Sequence, residues 1–432
     1  MPRTLTGGDT VTAPGLRLGA LFGPAVFGVT AAGVALPAVI AGLRADPAAA
    51  TWVLTVHALA LGVGTALFGR LADAVGVRAV LWSGSAITAA GTVVCLFAPG
   101  LGSLVAGRAL LALGSGALAA GGLALGAATD PERRPRVLAV FGAVIAVFAA
   151  AATFAGGVVT DVLSWRVALV LPVLSILAVP LCLPLARAHG ARQGVDVLGA
   201  LLLAATATAG LVLIQARTLR LPLAVTLACA LAVAAGAIAL WRRIATRPDG
   251  FVPRDVVTDP RFLRAAAVGA GVYAGLFATM YAVPQLLARE HHWGVLAVGA
   301  ALLPGAVLGA VVSRVAARPA VLAAVAIAAA VTGAAAGLVG GGPWGLVVGA
   351  SLATTGFATT QVVATGRVSA AVEPRRRGAA MGLLNLCFFV GGAAGSALAG
   401  ALAEPLGLGG ALAVAAVPPL LAGLLAPGLR KS

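Results

Sequence analysis

Two ionisable residues stand inside stretches that are otherwise apolar, and they narrow the chemistry open to this chain. His57 lies in the run 51–69 and is the one mid-run group that titrates near neutral pH. It could take a proton from one side of a barrier and release it to the other, or it could be a neutral histidine hydrogen-bonded within a bundle. Arg108 lies in LVAGRALLALGSG, inside the run 101–128. At membrane depth an arginine costs about 2.5–3.5 kcal/mol even on a lenient insertion scale. It therefore needs a partner or an aqueous cavity, unless it snorkels to the outer interface from a shallow position. None of the 13 acids falls in the middle of an apolar run. Asp9, Asp73, Asp130, Glu132, Asp249, Asp255, Asp259 and Glu373 fall on one side, and Asp196 begins a run. Asp46, Asp161, Glu290 and Glu404 lie at the opposite ends. Cys95, Cys182, Cys229 and Cys387 lack metal-ligand spacing and read as small packing residues. No phosphate-cradling GxxxxGK[ST] is present. No enzymatic centre, cofactor or metal is expected.

Such residues need elements to hold them, and the composition says which. Of 432 residues, 61% are hydrophobic and 10% charged, and the mean hydropathy is +1.06. A soluble domain needs a polar surface, whereas a helical bundle facing lipid does not. The pI of 11.6 would suggest nucleic acid in a soluble protein. Here the arginines sit in short connectors between apolar runs, so nucleic acid is not an expected partner. The runs have helical spanning length, about 20 residues, and not the roughly 10-residue alternation of a barrel. After a polar tail at 1–17 they fall at 18–43, 51–69, 79–99, 101–128, 137–160 and 165–186. A pair follows at 195–215 and 221–241, then 262–288, 295–314, 319–340, 343–366, 378–403 and 407–428. With the N-terminus inside, 23 basic residues fall at cytoplasmic ends and five outside, Arg44, Arg166, Arg217, Arg220 and Arg289. The expected fold is all-α and integral to the membrane, with fourteen spans and both termini cytoplasmic. Residues 1–190 would form a six-helix bundle, 191–245 an inserted pair, 246–261 a cytoplasmic linker and 262–432 a second six-helix bundle.

Between the second and third runs stands a short polar break at 69–78, GRLADAVGVR. Gly69 and Gly76 permit a tight turn and close approach, Asp73 can cap backbone amides or pair with arginine, and Arg70 and Arg78 can hold an inside-closed face. This stretch resembles the loop between spans two and three of the major facilitator superfamily, roughly GxLaDrxGrkxxl. Val34-Ala35-Leu36-Pro37, Trp52 and Arg108 resemble its fourteen-span drug:proton antiporter group. In the fifth run Gly156 and Gly157 match the group's GPxxGG motif, while Ala152 and Thr153 stand where Gly-Pro is expected. Asp161, Ser164, Trp165 and Arg166 suit the following outer loop. Phe251-Val252-Pro253, Tyr281 with Gln285, Pro304-Gly305 and the run from Gly378 to Gly395 resemble the second half. Members often carry an acid and an asparagine in the first span, in LDxTIVNVALP; here Gly28 and Gly33 stand at those positions.

The resemblance implies an exporter of hydrophobic or amphipathic drugs or antibiotic-like metabolites, working by alternating access in exchange for protons. It places Arg108 in proton handling. His57, where members often have an aromatic, or the edge carboxylates Asp161 and Glu404 would then carry the proton. A carrier without proton antiport is the alternative, favoured by the missing first-span acid; a non-transporting receptor on the same scaffold is a third. Cavity candidates are His57, Phe141, Phe148, Thr153, Phe277, Tyr281, Gln285, Gln361, Asn385 and Phe388, mostly apolar walls with few polar groups. The expected partners are a small organic substrate, protons and the lipid of the inner (plasma) membrane, with the chain acting as a monomer.

Overall fold

Backbone N–H and C=O groups in hydrocarbon have no water to bond, so apolar runs of this length must satisfy them internally as helices. The computed structural model describes residues 9–130, 132–186, 196–217, 219–248, 250–315, 318–339, 342–372 and 377–430. Among these residues there is no strand. Helix α1 (Asp9–Phe22) runs through a 3-10 turn at Gly23–Val26 into α2 (Phe27–Leu43), which Arg44 ends in the left-handed region at φ 49°. Then come α3 (Trp52–Val75), α4 (Val77–Leu96), α5 (Leu101–Ala127) and α6 (Arg134–Val162). Next follow the short α7 (Trp165–Leu169) and α8 (Ser175–Cys182), then α9 (Val197–Ile214) and α10 (Leu223–Thr246). After α11 (Arg254–Thr258) come α12 (Pro260–Arg289), α13 (Val295–Val315), α14 (Pro319–Val339) and α15 (Gly342–Ala371). Last are α16 (Arg377–Val414) and α17 (Val417–Leu425). Hydroxyls inside these helices are satisfied locally: Thr65, Ser85, Thr88 and Thr92 each donate to the carbonyl four residues back.

Among the described residues, eleven helices are long and apolar enough to cross a membrane. The count becomes twelve if the bent pair Val140–Ala149 and Ala151–Val162 in α6 is one span. Fourteen were expected, and the shortfall has two sources. The run 165–186 breaks at Val170, between α7 and the 3-10 turn opened by Pro172, and turns 3-10 again at Pro184, since proline removes the N–H each helical turn needs; Pro180 lies inside α8. The last two runs join as one helical stretch, Ala380–Leu429, interrupted at Gly407, whose φ is 71°.

Helix α5 packs against α3 and α4, and α12 against α15 and α16. Contacts that cross from residues before 190 to residues after 260 include α3 with α16, α6 with α13 and α2 with α12. Small residues set these approaches: an added Cβ on Gly64 would press on the Leu113 backbone, and one on Gly391 or Gly395 on the backbone of α12. Helices α9 and α10 pack on each other and lie outside the core, with none of the most apolar window of α10 buried and 17% of that of α9. The expected boundary at 190/191 lies outside the described residues. Around the expected linker, α10 runs on to Thr246, and Phe251 and Val252 are buried rather than solvated.

Candidate functional site

Arg108 lies in the second turn of α5, about 10 Å from the helix start at 1.5 Å per residue, and is fully buried. Snorkelling is thereby ruled out for this arrangement. Its guanidinium is held by backbone carbonyls alone: Nη2 donates to Gly28 O in α2, Nη1 to Leu169 O at 2.8 Å and Nε to Val53 O in α3 at 3.3 Å. The Leu169 carbonyl is available because α7 stops there. Pro172, three residues on, has no N–H, and the N–H of Val173 goes to Val170. The broken sixth run thus supplies one wall of the arginine's cage.

His57 faces the same corner from α3. It is fully buried, and among the described residues neither Nδ1 nor Nε2 makes a hydrogen bond of good geometry. A Cβ on Gly28 would collide with His57 Nε2, so the imidazole fills the room a side chain at position 28 would take. Gly28 therefore serves both residues: its carbonyl binds Arg108 and its bare Cα admits His57. Asp161 and Glu404 are exposed at the ends of their spans, and neither enters this cage.

A narrow gap of about 20 Å³, room for roughly one water molecule, lies between the two groups of helices. Val26, Thr30 and Ala149 line one side, and Leu276, Ala306, Ala310, Thr354, Phe357 and Ala358 the other. Thr30 and Thr354 donate to carbonyls of their own helices, at 3.2 and 2.9 Å, leaving hydroxyl oxygens as acceptors in an apolar wall. The expected cavity residues line none of it. Phe277, Tyr281, Gln285 and Phe388 are fully buried in packed helix faces. Phe277 and Phe388 pack on Tyr273 with centroids 6.4 and 5.0 Å away. Tyr281 donates to Pro47 O at 3.1 Å, and Gln285 Nε2 to Tyr281 O at 2.7 Å. Asn385 is buried, and Gln361 is half-buried beside Thr365. Phe148 packs edge-on against Phe27 at 5.6 Å, and Phe141 against Phe22 at 5.7 Å. The residues missed were Thr30, Thr354 and Phe357; the threonine-rich run ATTGFATT in α15 was the signal for the last two.

In the fifth-span motif, Ala152 and Thr153 are buried. Gly156 abuts the backbone of Ala31 in α2, and Gly157 lies against Val295 and Gly299 of α13. An added Cβ on Gly299 would in turn reach Thr153 O at 2.7 Å, so this crossing is backbone against backbone. Helices α3 and α16 also close on each other along their length. Thr55 Oγ1 and Ser396 Oγ share a hydrogen bond of 2.8 Å, and Gly382 abuts Ala66.

The stretch 69–78 is not a loop. Residues 69–75 complete the last turns of α3, and α4 begins at Val77. The connection is Gly76 alone, at φ 93°, a conformation that favours glycine. Gly69 faces open space and Arg78 is exposed. Arg70 is half-buried and donates to Gly250 O in the connector before α11. Asp73 lies in the last two turns of α3; its side chain lies outside what the structure describes, and no side chain caps α4.

Residues 18–318 match the family model described as the Major Facilitator Superfamily. The chain is 33% identical over 300 residues to a cephamycin export protein of Amycolatopsis lactamdurans, covering 64% of this chain and 58% of that protein. It is 36% identical over 179 residues to a puromycin resistance protein of Streptomyces alboniger, covering 40% of this chain and 35% of the relative. An uncharacterized MFS-type transporter of Mycobacterium tuberculosis matches at 31% over 219 residues, 48% of this chain and 32% of its own. Each match thus spans less than two thirds of the relative's length. With more than half of its residues in the family model, and with its many apolar helices, this chain belongs to the major facilitator superfamily of membrane transporters.

Proposed function

We propose that the protein exports hydrophobic or amphipathic antibiotic-like compounds in exchange for protons, by alternating access. The observation that carries the coupling is His57, fully buried with its imidazole against Gly28 and beside the carbonyl cage of Arg108. A protonated His57 would set a second positive charge next to Arg108 inside the bundle. The two charge states therefore favour different packings, and that difference is what couples a proton to a conformational change. The gap between the helix groups is too small here for a drug-sized molecule, but its lining supports the substrate class: the wall is apolar with two threonine hydroxyls and no ionisable side chain. The names of the cephamycin and puromycin relatives point the same way.

In this reading the chain has fourteen spans, six in residues 1–190, an inserted pair in 191–245 and six in 262–432, with the linker at 246–261. The broken run 165–185 counts as one span and the stretch Ala380–Leu429 as two folded at Gly407. The linker side faces the cytoplasm of a plasma membrane, and the protein works as a monomer. A second reading, a carrier without proton antiport, is favoured by the exposure of Asp161 and Glu404 and the absence of any other carboxylate candidate in the spans. Proteoliposomes with an imposed pH gradient, screened with a panel of hydrophobic antibiotics, separate the two. Accumulation that follows the gradient is expected; accumulation indifferent to it would establish the second reading.

A further inference from the structure

We infer that Asp196 is a positioning residue for the cytoplasmic gate: it holds the linker so that the Gly250 carbonyl meets Arg70, tying the exposed pair α9–α10 to helix α3. The inference rests on the alternating-access reading above. Asp196 caps α9, accepting the Gly199 N–H at 3.0 Å. The same carboxylate accepts Arg243, in the last turn of α10, through Nε at 2.9 Å and Nη2 at 2.5 Å, the one ion pair among the described residues. It also accepts the N–H of Phe251 at 3.1 Å. One carboxylate thus joins a helix start, a helix end and the linker, which lie 47 and 55 residues away along the chain.

The residue before Phe251 is Gly250, the acceptor of Arg70 Nη2. An added Cβ there would lie 2.9 Å from Asp196 Oδ2, so only glycine lets the linker sit this close to the carboxylate. Phe251 and Val252 are buried, which fixes the linker on its other side. Both charges also suit their helix ends, an anion at the start of α9 and a cation at the end of α10. Burial opposes the charge of Asp196, yet the Arg243 guanidinium and the amides of Phe251 and Gly199 hold its carboxyl down at about 2. The anion is therefore present throughout the working pH range.

Helix α10 buries none of its most apolar window and α9 little, although α9 touches α3 and α16, so the bonds at their linker-side ends are a route by which the pair can act on the gate. The chain of bonds from Arg243 through Asp196 and the linker to Arg70 is such a route. Opening the linker side draws α3 away from the linker and must break the bond from Arg70 to Gly250. Without the ion pair, the linker loses the contact that keeps its carbonyl in place, and the closed state loses stability.

The test measures the gate directly. Nitroxide labels at Ala79 in α4 and Ala370 in α15, both exposed near the linker side, report its width by pulsed dipolar spectroscopy on the full chain in nanodiscs. Asp196→Asn keeps a good capping side chain but removes the ion pair, and Arg243→Gln removes it from the other partner without touching the cap. Both are expected to raise the ratio of wide to narrow distances about tenfold, the scale of one charge-assisted hydrogen bond, and Arg70→Gln is expected to do the same. Two populations in the unmodified protein with a ratio that neither variant changes would overturn the latch alone. A single fixed distance in the unmodified protein at every pH, with and without a hydrophobic antibiotic added, would overturn the alternating-access reading and the latch with it. If Asp196→Asn fails to fold, Arg243→Gln decides the matter.

Discussion

Gly28 and His57 compete for the same space, and the competition can be measured. Replacing Gly28 by alanine pushes a methyl into the imidazole, and overpacking of this kind costs about 1–3 kcal/mol. Gly28→Ala is expected to lower the melting temperature of the purified protein, and His57→Ala in the same chain to restore most of the loss. Additive losses would show that the two side chains do not share a site. In the sequence, Arg108 and His57 could be singled out because ionisable groups in apolar runs are rare. Their partners could not. Backbone carbonyls have no sequence signature, and the Leu169 carbonyl is available only because Pro172 cannot donate. The part played by Gly28 was hidden for a related reason, since what matters there is a missing side chain. The aromatic residues picked for the cavity went to the core instead, because large apolar rings gain most from full burial.

Elements carry the motion, and two crossings make it testable. Gly157 lies against the backbone of Val295 and Gly299 in α13, so a large side chain there must spread the helices. Gly157→Leu is expected to cut transport by about tenfold or more, the effect of biasing a two-state equilibrium by roughly 1.4 kcal/mol, while the yield of folded protein stays near normal. Equal loss of yield and transport would make the glycine a folding requirement only. At the linker side, the depressed carboxyl of Asp196 sets a pH dependence. Its ordinary value is 3.8 and its value here about 2, so the stability it adds is complete above the ordinary value and is lost as pH falls through about 2. The difference in melting temperature between the unmodified protein and Asp196→Asn should be constant from about pH 8 to about pH 5 and shrink below about pH 4. A difference that grew on acidification would contradict that assignment. The helices themselves were legible as apolar runs, but their ends were not. GRLADAVGVR looks like a loop because it is polar and glycine-bearing. Yet Arg70, Leu71, Ala72 and Asp73 are compatible with helix, Gly69 is crowded by nothing, and the turn needs only Gly76. In the sixth run, the 3-10 turns opened by Pro172 and Pro184 interrupt what hydropathy alone reads as one span.

At the scale of the whole molecule, the chain belongs to the major facilitator superfamily, and the proposed function gives its helices a shared task, moving a substrate between two sides of a membrane. In that proposal the contacts of α3 with α16 and the narrow gap between the helix groups are one station of the cycle. The proposed account adds a proton to it and places that proton at His57. Proton movement driven by substrate is the most direct measurement: a pH-sensitive dye sealed in proteoliposomes, with an antibiotic that the protein transports added across the membrane. The account predicts that the unmodified protein shows substrate-driven proton flux. His57→Gln should lose that flux, by about tenfold or more, while still exchanging labelled for unlabelled substrate. Undiminished substrate-driven proton flux in His57→Gln, with the protein folded and exchanging substrate, would contradict it.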